Sequence, residues 1–106
     1  MSVIDITSTE QFEELSKASG VHIVKVSTTT CGPCKMMAPL FEKLSNDFSD
    51  TSFYSLVPSD EEGTLTLARK LNVSSVPAYL IYKDNELINQ FSGAFPLSVL
   101  QSRLGL

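Results

Sequence analysis

Strand-like and helix-like segments alternate along this chain, and that order restricts its possible folds more than any other feature. Val3 to Ile6 is a short apolar segment and a weak strand. Ser8 and Gln11 stand at capping-box spacing, and Phe12 and Leu15 give the apolar face of a first helix ended by Gly20. His22 to Ser27 carries Ile23, Val24 and Val26 and reads as a buried strand. A second helix is expected from about Cys34 to Phe48, kinked at Pro39 because proline removes a backbone bond. Phe53 to Val57 reads as a strand closed by Pro58. Ser59 and Glu62 make a second capping box before a helix carrying Leu65, Leu67, Ala68 and Leu71, with Gly63 weakening its first turn. Val73 to Val76 is a connector. Ala78 to Tyr82 is a strand, Lys83 to Glu86 a turn, and Leu87 to Phe91 the returning strand of a hairpin. Gly93 breaks the chain, and Pro96 to Leu104 is a last helix with Leu97, Leu100 and Leu104. The order β-α-β-α-β-α-β-β-α predicts an α/β fold. The expected form is a central mixed sheet of about five strands flanked by about four helices, in one domain over residues 1–106.

A chain of 106 residues can bury a core without disulfide staples. Its net charge of −4, with no block of like charge, argues against a nucleic-acid partner, which needs a basic face. No apolar run approaches membrane-spanning length, so no membrane partner is expected. Met1 to Asp5 lacks the basic region and long apolar stretch of a signal peptide, which makes a reducing, cytoplasmic compartment the expectation.

The chemistry concentrates in Thr30-Cys31-Gly32-Pro33-Cys34-Lys35, which holds both cysteines of the chain. A strand leads into this stretch and a helix leaves it. Backbone N–H groups at a helix start are unpaired and carry partial positive charge, so a sulfur there ionises more readily. A Cys-x-x-Cys pair beside strand–helix units reads as a redox dithiol. Its disulfide would close a very short loop and add little stability, so its plausible use is to be made and broken. Cys31, first in the pair, is the more exposed candidate nucleophile; Cys34, further into the helix, is the candidate resolving thiol. A free thiol titrates near ~8.5, and lowering this by about 1.5 units would stabilise the thiolate by roughly 2 kcal/mol. Gly32 lets a substrate backbone approach, and Pro33 presets a helical dihedral without wasting a donor. Two other readings stand beside this one. The cysteines could simply sit reduced near a helix start. They could also bind zinc, which wants about four ligands where the chain offers two thiols and His22, unless two chains share one ion.

Cys-Gly-Pro-Cys-Lys-Met-Met-Ala-Pro resembles the active-site segment of the thioredoxin family, and the likeness covers essentially the whole chain. Val76-Pro77 before a strand looks like that family's cis-proline loop, and Gly93 like its glycine near the substrate groove. The resemblance implies a thioredoxin fold and protein disulfide oxidoreduction, most naturally in the reducing direction. Cys31 would be the nucleophile, Cys34 the resolving thiol, and Val76, Pro77 and Gly93 would bind substrate. It implies no bound cofactor and no metal, only a reversible Cys31–Cys34 disulfide recharged by an external, thioredoxin-reductase-like enzyme. Partners would be disulfide-containing proteins, met by a monomer. The rival readings are a divergent binding module with a vestigial or regulatory dithiol, and an oxidoreductase dedicated to one partner.

The chain also departs from the family. It has no tryptophan: Thr30 stands where the family has Trp, and Ser27 where another aromatic is common. Lys25 occupies the place of a buried aspartate that helps the resolving thiol lose its proton, and Leu56 replaces, without gaps, the lysine paired with it. These changes bear on partner range, rate and potential rather than on fold. Strand alternation puts Ile23, Lys25 and Ser27 on one face and Val24 and Val26 on the other. Lys25 is therefore a candidate modulator of the thiol pKa values. Of Met36 and Met37, one is expected to pack and the other to lie near the surface. Tyr79 and Tyr82 read as strand packing, His22 as a satisfied strand residue, and Glu61 and Glu62 as a favourable helix start.

Overall fold

Parallel strands need crossover helices, and the alternating pattern of the chain supplies them. A computed structural model describes residues 3–59 and 63–106. Its strands are β1 (Val3–Ile6), β2 (Val21–Val26), β3 (Ser52–Leu56), β4 (Ala78–Lys83) and β5 (Glu86–Ser92). Its helices are α1 (Thr9–Lys17), α2 (Gly32–Asp47), α3 (Thr64–Lys70) and α4 (Leu97–Arg103). The sheet runs β1-β3-β2-β4-β5. β1, β3 and β2 are parallel, whereas β4 pairs antiparallel with β2 and β5 antiparallel with β4. The expected mixed sheet and its flanking helices are present.

β2 is the central strand, and its side chains alternate between two apolar layers. Val24 and Val26 face Phe12 and Leu15 of α1 and Leu67 of α3. Ile23 faces Met37, Phe41 and Leu44 of α2 and Leu100 of α4. Burial on both faces explains why β2 reads as a continuous apolar run.

Local chemistry shifts several boundaries. α1 starts as expected, with the Gln11 N–H donating to Ser8 Oγ at 3.1 Å. The Gln11 side chain does not complete the capping box: its Oε1 accepts from Thr7 N–H at 2.8 Å, and its Nε2 donates to the Asp5 carbonyl at 3.0 Å. α1 ends at Lys17, before Gly20, whose φ of +92° serves the turn into β2. Gly63 does not sit inside α3 but precedes it at φ +70°, a left-handed value that favours glycine. Glu61 and Glu62, and with Glu62 the second capping box, lie outside the described residues. The hairpin turn is tighter than expected, with Asp84 at φ 50° and Asn85 at φ 71° between β4 and β5. Both positive values suit the right-handed twist of the strands they join. Met37 is buried and Met36 is 70% exposed, as the helical spacing requires.

Candidate redox site

α2 begins two residues earlier than the sequence suggests, because a sulfur does the work of a cap. Cys31 is extended, at φ −90° and ψ 111°, and stands just before the first helical residue, Gly32. Its Sγ accepts the N–H of Cys34 at 3.1 Å. Pro33 fills a first-turn position where no N–H is needed. Cap rules centre on Ser, Thr, Asp and Asn, so a cysteine cap gives no sequence signal for this boundary. Cys31 and Cys34 form a disulfide, with Cα atoms 5.2 Å apart. Cys31 is partly exposed and Cys34 only 4% exposed, the order expected of an attacking and a resolving thiol. The N–H donor and the helix start both favour negative charge on Cys31 once the bond is opened.

The connector before β4 meets this disulfide from the other side. The Val76–Pro77 bond is cis. The Val76 carbonyl oxygen lies 3.8 Å from Cys31 Sγ, a contact rather than a hydrogen bond, since a disulfide sulfur has no proton. Gly93 follows β5, and its N–H donates to the Pro77 carbonyl at 2.9 Å. Gly93 has φ +125°, and a Cβ there would press on Phe95 Cζ at 3.3 Å, so both conformation and space call for glycine. The fold thus brings Cys31, Val76, Pro77 and Gly93 to one edge. Ser75 and Ser92 join them, their Oγ atoms 2.8 Å apart. Nothing in the sequence singles out this pair, because the bond links residues 17 apart and belongs to no motif.

Lys25 takes the face predicted for it. It is 5% exposed, and its Nζ lies 5.4 Å from the centre of the Phe41 ring. Lys25 lines a cavity of about 170 Å³ with Asp5, Ala38, Glu42 and Ser55. Burial holds its pKa below the usual 10.5. Ala38 and Glu42 lie one and two helical turns beyond Cys34 on α2. The strand register corrects the expected neighbour: Ser55 stands opposite Lys25, while Leu56 pairs with Val26 and belongs to the opposite apolar layer. His22 is a satisfied strand residue at one nitrogen, with Nε2 3.0 Å from the Ser19 carbonyl oxygen, whereas its buried Nδ1 has no partner among the described residues. Tyr79 is packed against Phe91 and Phe41, and Tyr82 against Phe12. No group of three or more His, Cys, Asp or Glu side chains among the described residues is placed to hold a metal. No helix among them is long and apolar enough to cross a membrane.

Comparison with known proteins agrees with this geometry. The family model described as Thioredoxin matches residues 2–105. Thioredoxin-2 of Saccharomyces cerevisiae is 35% identical over 102 residues, covering 94% of this chain and 94% of that protein. A chain from the crystal structure of a ferredoxin:thioredoxin reductase and thioredoxin f2 complex superposes with a TM-score of 0.85 at 27% identity, covering 98% of this chain and 93% of the other. A chain from a study of the thiol resolving mechanism in yeast mitochondrial 1-Cys peroxiredoxin via glutathione/thioredoxin systems gives a TM-score of 0.84 at 28% identity, with coverages of 99% and 96%.

Proposed function

Since the chain belongs to the thioredoxin family and is a thiol–disulfide oxidoreductase, we propose that it works as a reductase of protein disulfides. One observation carries this reading: a partly exposed sulfur at a helix start receives a backbone N–H and faces a backbone edge at Val76. In the reduced protein, the Cys31 thiolate attacks one sulfur of the substrate disulfide. A Cys31–substrate bond forms, and the departing substrate thiolate takes up a proton. Cys34 then loses its proton and attacks Cys31 Sγ, expelling the second substrate thiolate. The substrate gains two electrons, and the protein ends as the Cys31–Cys34 disulfide. Val76, Pro77 and Gly93 bind the substrate as an extended segment laid along the edge, in the manner of an added strand. Gly32 leaves room for its backbone.

The partners are disulfide-containing proteins, met by a monomer in the cytoplasm. An external reductase of thioredoxin-reductase type recharges the dithiol. The structural likenesses to a chain from a reductase complex and to one from a peroxiredoxin study support those two partner classes. Lys25 acts as a modulator: a positive charge buried under α2, the helix that the dithiol opens, favours thiolate and hence the reduced form, so Lys25→Met lowers the reduction potential and raises the thiol pKa values. A glutathione-buffer titration and a thiolate absorbance titration of both proteins test that sign; unchanged values would leave Lys25 no redox role.

Division of labour is tested by trapping. Cys34→Ser leaves Cys31 able to attack but unable to be released, so mixed disulfides accumulate on a non-reducing gel. Cys31→Ser traps nothing and abolishes insulin reduction. Equal trapping by Cys31→Ser would reverse the assignment, and no reduction of insulin by the parent chain would remove the reductase reading.

A further inference from the structure

The geometry points to Ser75 and Ser92 as a clasp that positions the Val76 edge, and through it selects extended protein disulfides over small ones. This rests on the reading of Val76 as the edge that substrate pairs with. Ser75 immediately precedes Val76, and Ser92, the last residue of β5, immediately precedes Gly93. Their hydroxyls are 2.8 Å apart. Two more hydrogen bonds fasten the same connector to β5 and the residue after it. Gln90 Nε2 donates to the Leu71 carbonyl at 3.3 Å, and the Gly93 N–H donates to the Pro77 carbonyl at 2.9 Å.

An open recess of about 250 Å³ lies between the connector and β5, lined by Val73, Ser74, Ser75, Gln90 and Ser92. Val73 and Val76 rest on the apolar layer of α1 and α3, so the core holds the edge from below. On the β5 side, across the recess, these hydrogen bonds hold it. The Ser75–Ser92 bond fastens the residue just before Val76, whose carbonyl stands 3.8 Å from Cys31 Sγ, as the Gly93–Pro77 bond fastens the residue just after it. Opening the clasp lets Val76 shift relative to the sulfur, and displacements near 1 Å cost reactivity out of proportion to the bond lost. Only substrates that pair along the edge feel the shift. A small disulfide needs Cys31 alone.

The test compares insulin with 2-hydroxyethyl disulfide. Ser92→Ala is expected to raise KM for insulin roughly three- to tenfold with kcat nearly kept, and to leave kcat/KM for the small disulfide and the thiolate titration unchanged. Ser75→Ala should match it. The double variant should be no worse than either single, because one bond is lost in all three. Ser75→Thr, which keeps a hydroxyl, should stay close to the parent. Additive losses, equal losses on both disulfides, or no loss overturn the clasp. Both serines are exposed, so the variants are expected to fold, and matching circular dichroism spectra check this. Val76→Pro, which removes the N–H from the edge, separates the two ways to fail. Unchanged insulin KM in Val76→Pro removes the edge itself; a raised KM there, with none in the serine variants, removes only the clasp.

Discussion

At the scale of single residues, two buried groups carry a cost that substitution should recover. Lys25 places an ammonium 5% exposed against Phe41. Its pKa is lowered from 10.5 by burial, so just below pH 10.5 the unfolded chain holds more of this proton than the folded one. Stability attributable to Lys25 therefore rises with pH through that window, so the buried charge costs stability below it. Lys25→Met should stabilise the protein at pH 7 by about 1 kcal/mol, or roughly 4–8 °C in Tm, with the gain shrinking toward pH 10.5. Thermal melts at pH 7 and pH 10 decide this; a gain that does not vary with pH would contradict the account. Tyr79 is fully buried, and its hydroxyl has no hydrogen-bond partner among the described residues. Removing an unsatisfied buried group is favourable, so Tyr79→Phe should raise stability by about 1 kcal/mol in urea unfolding. Burial also pushes the Tyr79 phenol from 10.0 up to about 12. Above pH 10 the unfolded chain loses this proton first, and parent stability should fall between pH 10 and 12 more steeply than that of Tyr79→Phe. A variant no more stable than the parent at either pH would count against both statements.

At the scale of elements, endings were harder to read than interiors. The hairpin shows why. Asp84 and Asn85 both adopt positive φ, and Asp84 is also tied to the preceding α1–β2 turn. The Gly20 N–H donates to Asp84 Oδ1 at 2.8 Å, and the Asp84 N–H donates to the Gly20 carbonyl at 3.1 Å. The turn is thus anchored at Asp84 and merely strained at Asn85. Asn85→Gly should stabilise by about 0.5 kcal/mol, because glycine reaches positive φ at lower cost. Asp84→Gly should destabilise, because it removes the carboxylate that Gly20 donates to. Chemical denaturation of the two variants checks the pair, and the same sign for both would refute the division. α2 has a similar lesson at its start. A cysteine caps it, so the residue that performs the chemistry also sets where the helix begins.

At the scale of the molecule, stability resides in two apolar layers on either side of one sheet. Phe41 is the hub of the α2–α4 layer. It is 1% exposed, packs edge-on to Phe53 at 5.2 Å, contacts Tyr79 at 6.1 Å, and lies under the Lys25 amine. Phe41→Ala should cost about 3–5 kcal/mol, since a large cavity opens where the sheet and helix cannot close together. Leu87, 43% exposed on the edge strand β5, should change stability by less than about 0.5 kcal/mol when replaced by Ala. Urea unfolding of the two variants tests the contrast, and comparable losses would mean that the layers do not carry the stability.

Local order decides secondary structure, and the sequence by itself determined most of it here: the alternation of strand and helix, the apolar faces, the Cys31-x-x-Cys34 dithiol between β2 and α2, and the side of β2 that Lys25 takes. Each depends on neighbours within about one helical turn or one strand pleat. The resemblance carried by Cys-Gly-Pro-Cys extended this to the cis bond before Pro77 and to Gly93. What only the tertiary structure decided links positions far apart in the chain. Ser55, not Leu56, stands opposite Lys25 because register is set by pairing across the sheet, and a slip of one residue changes face. Ser75 meets Ser92, and Asp84 meets Gly20, because folding closes distances that no local pattern encodes. The Val76 carbonyl comes within 3.8 Å of Cys31 Sγ across 45 residues for the same reason. Periodicity is a property of neighbours along the chain, whereas a site is a property of neighbours in space.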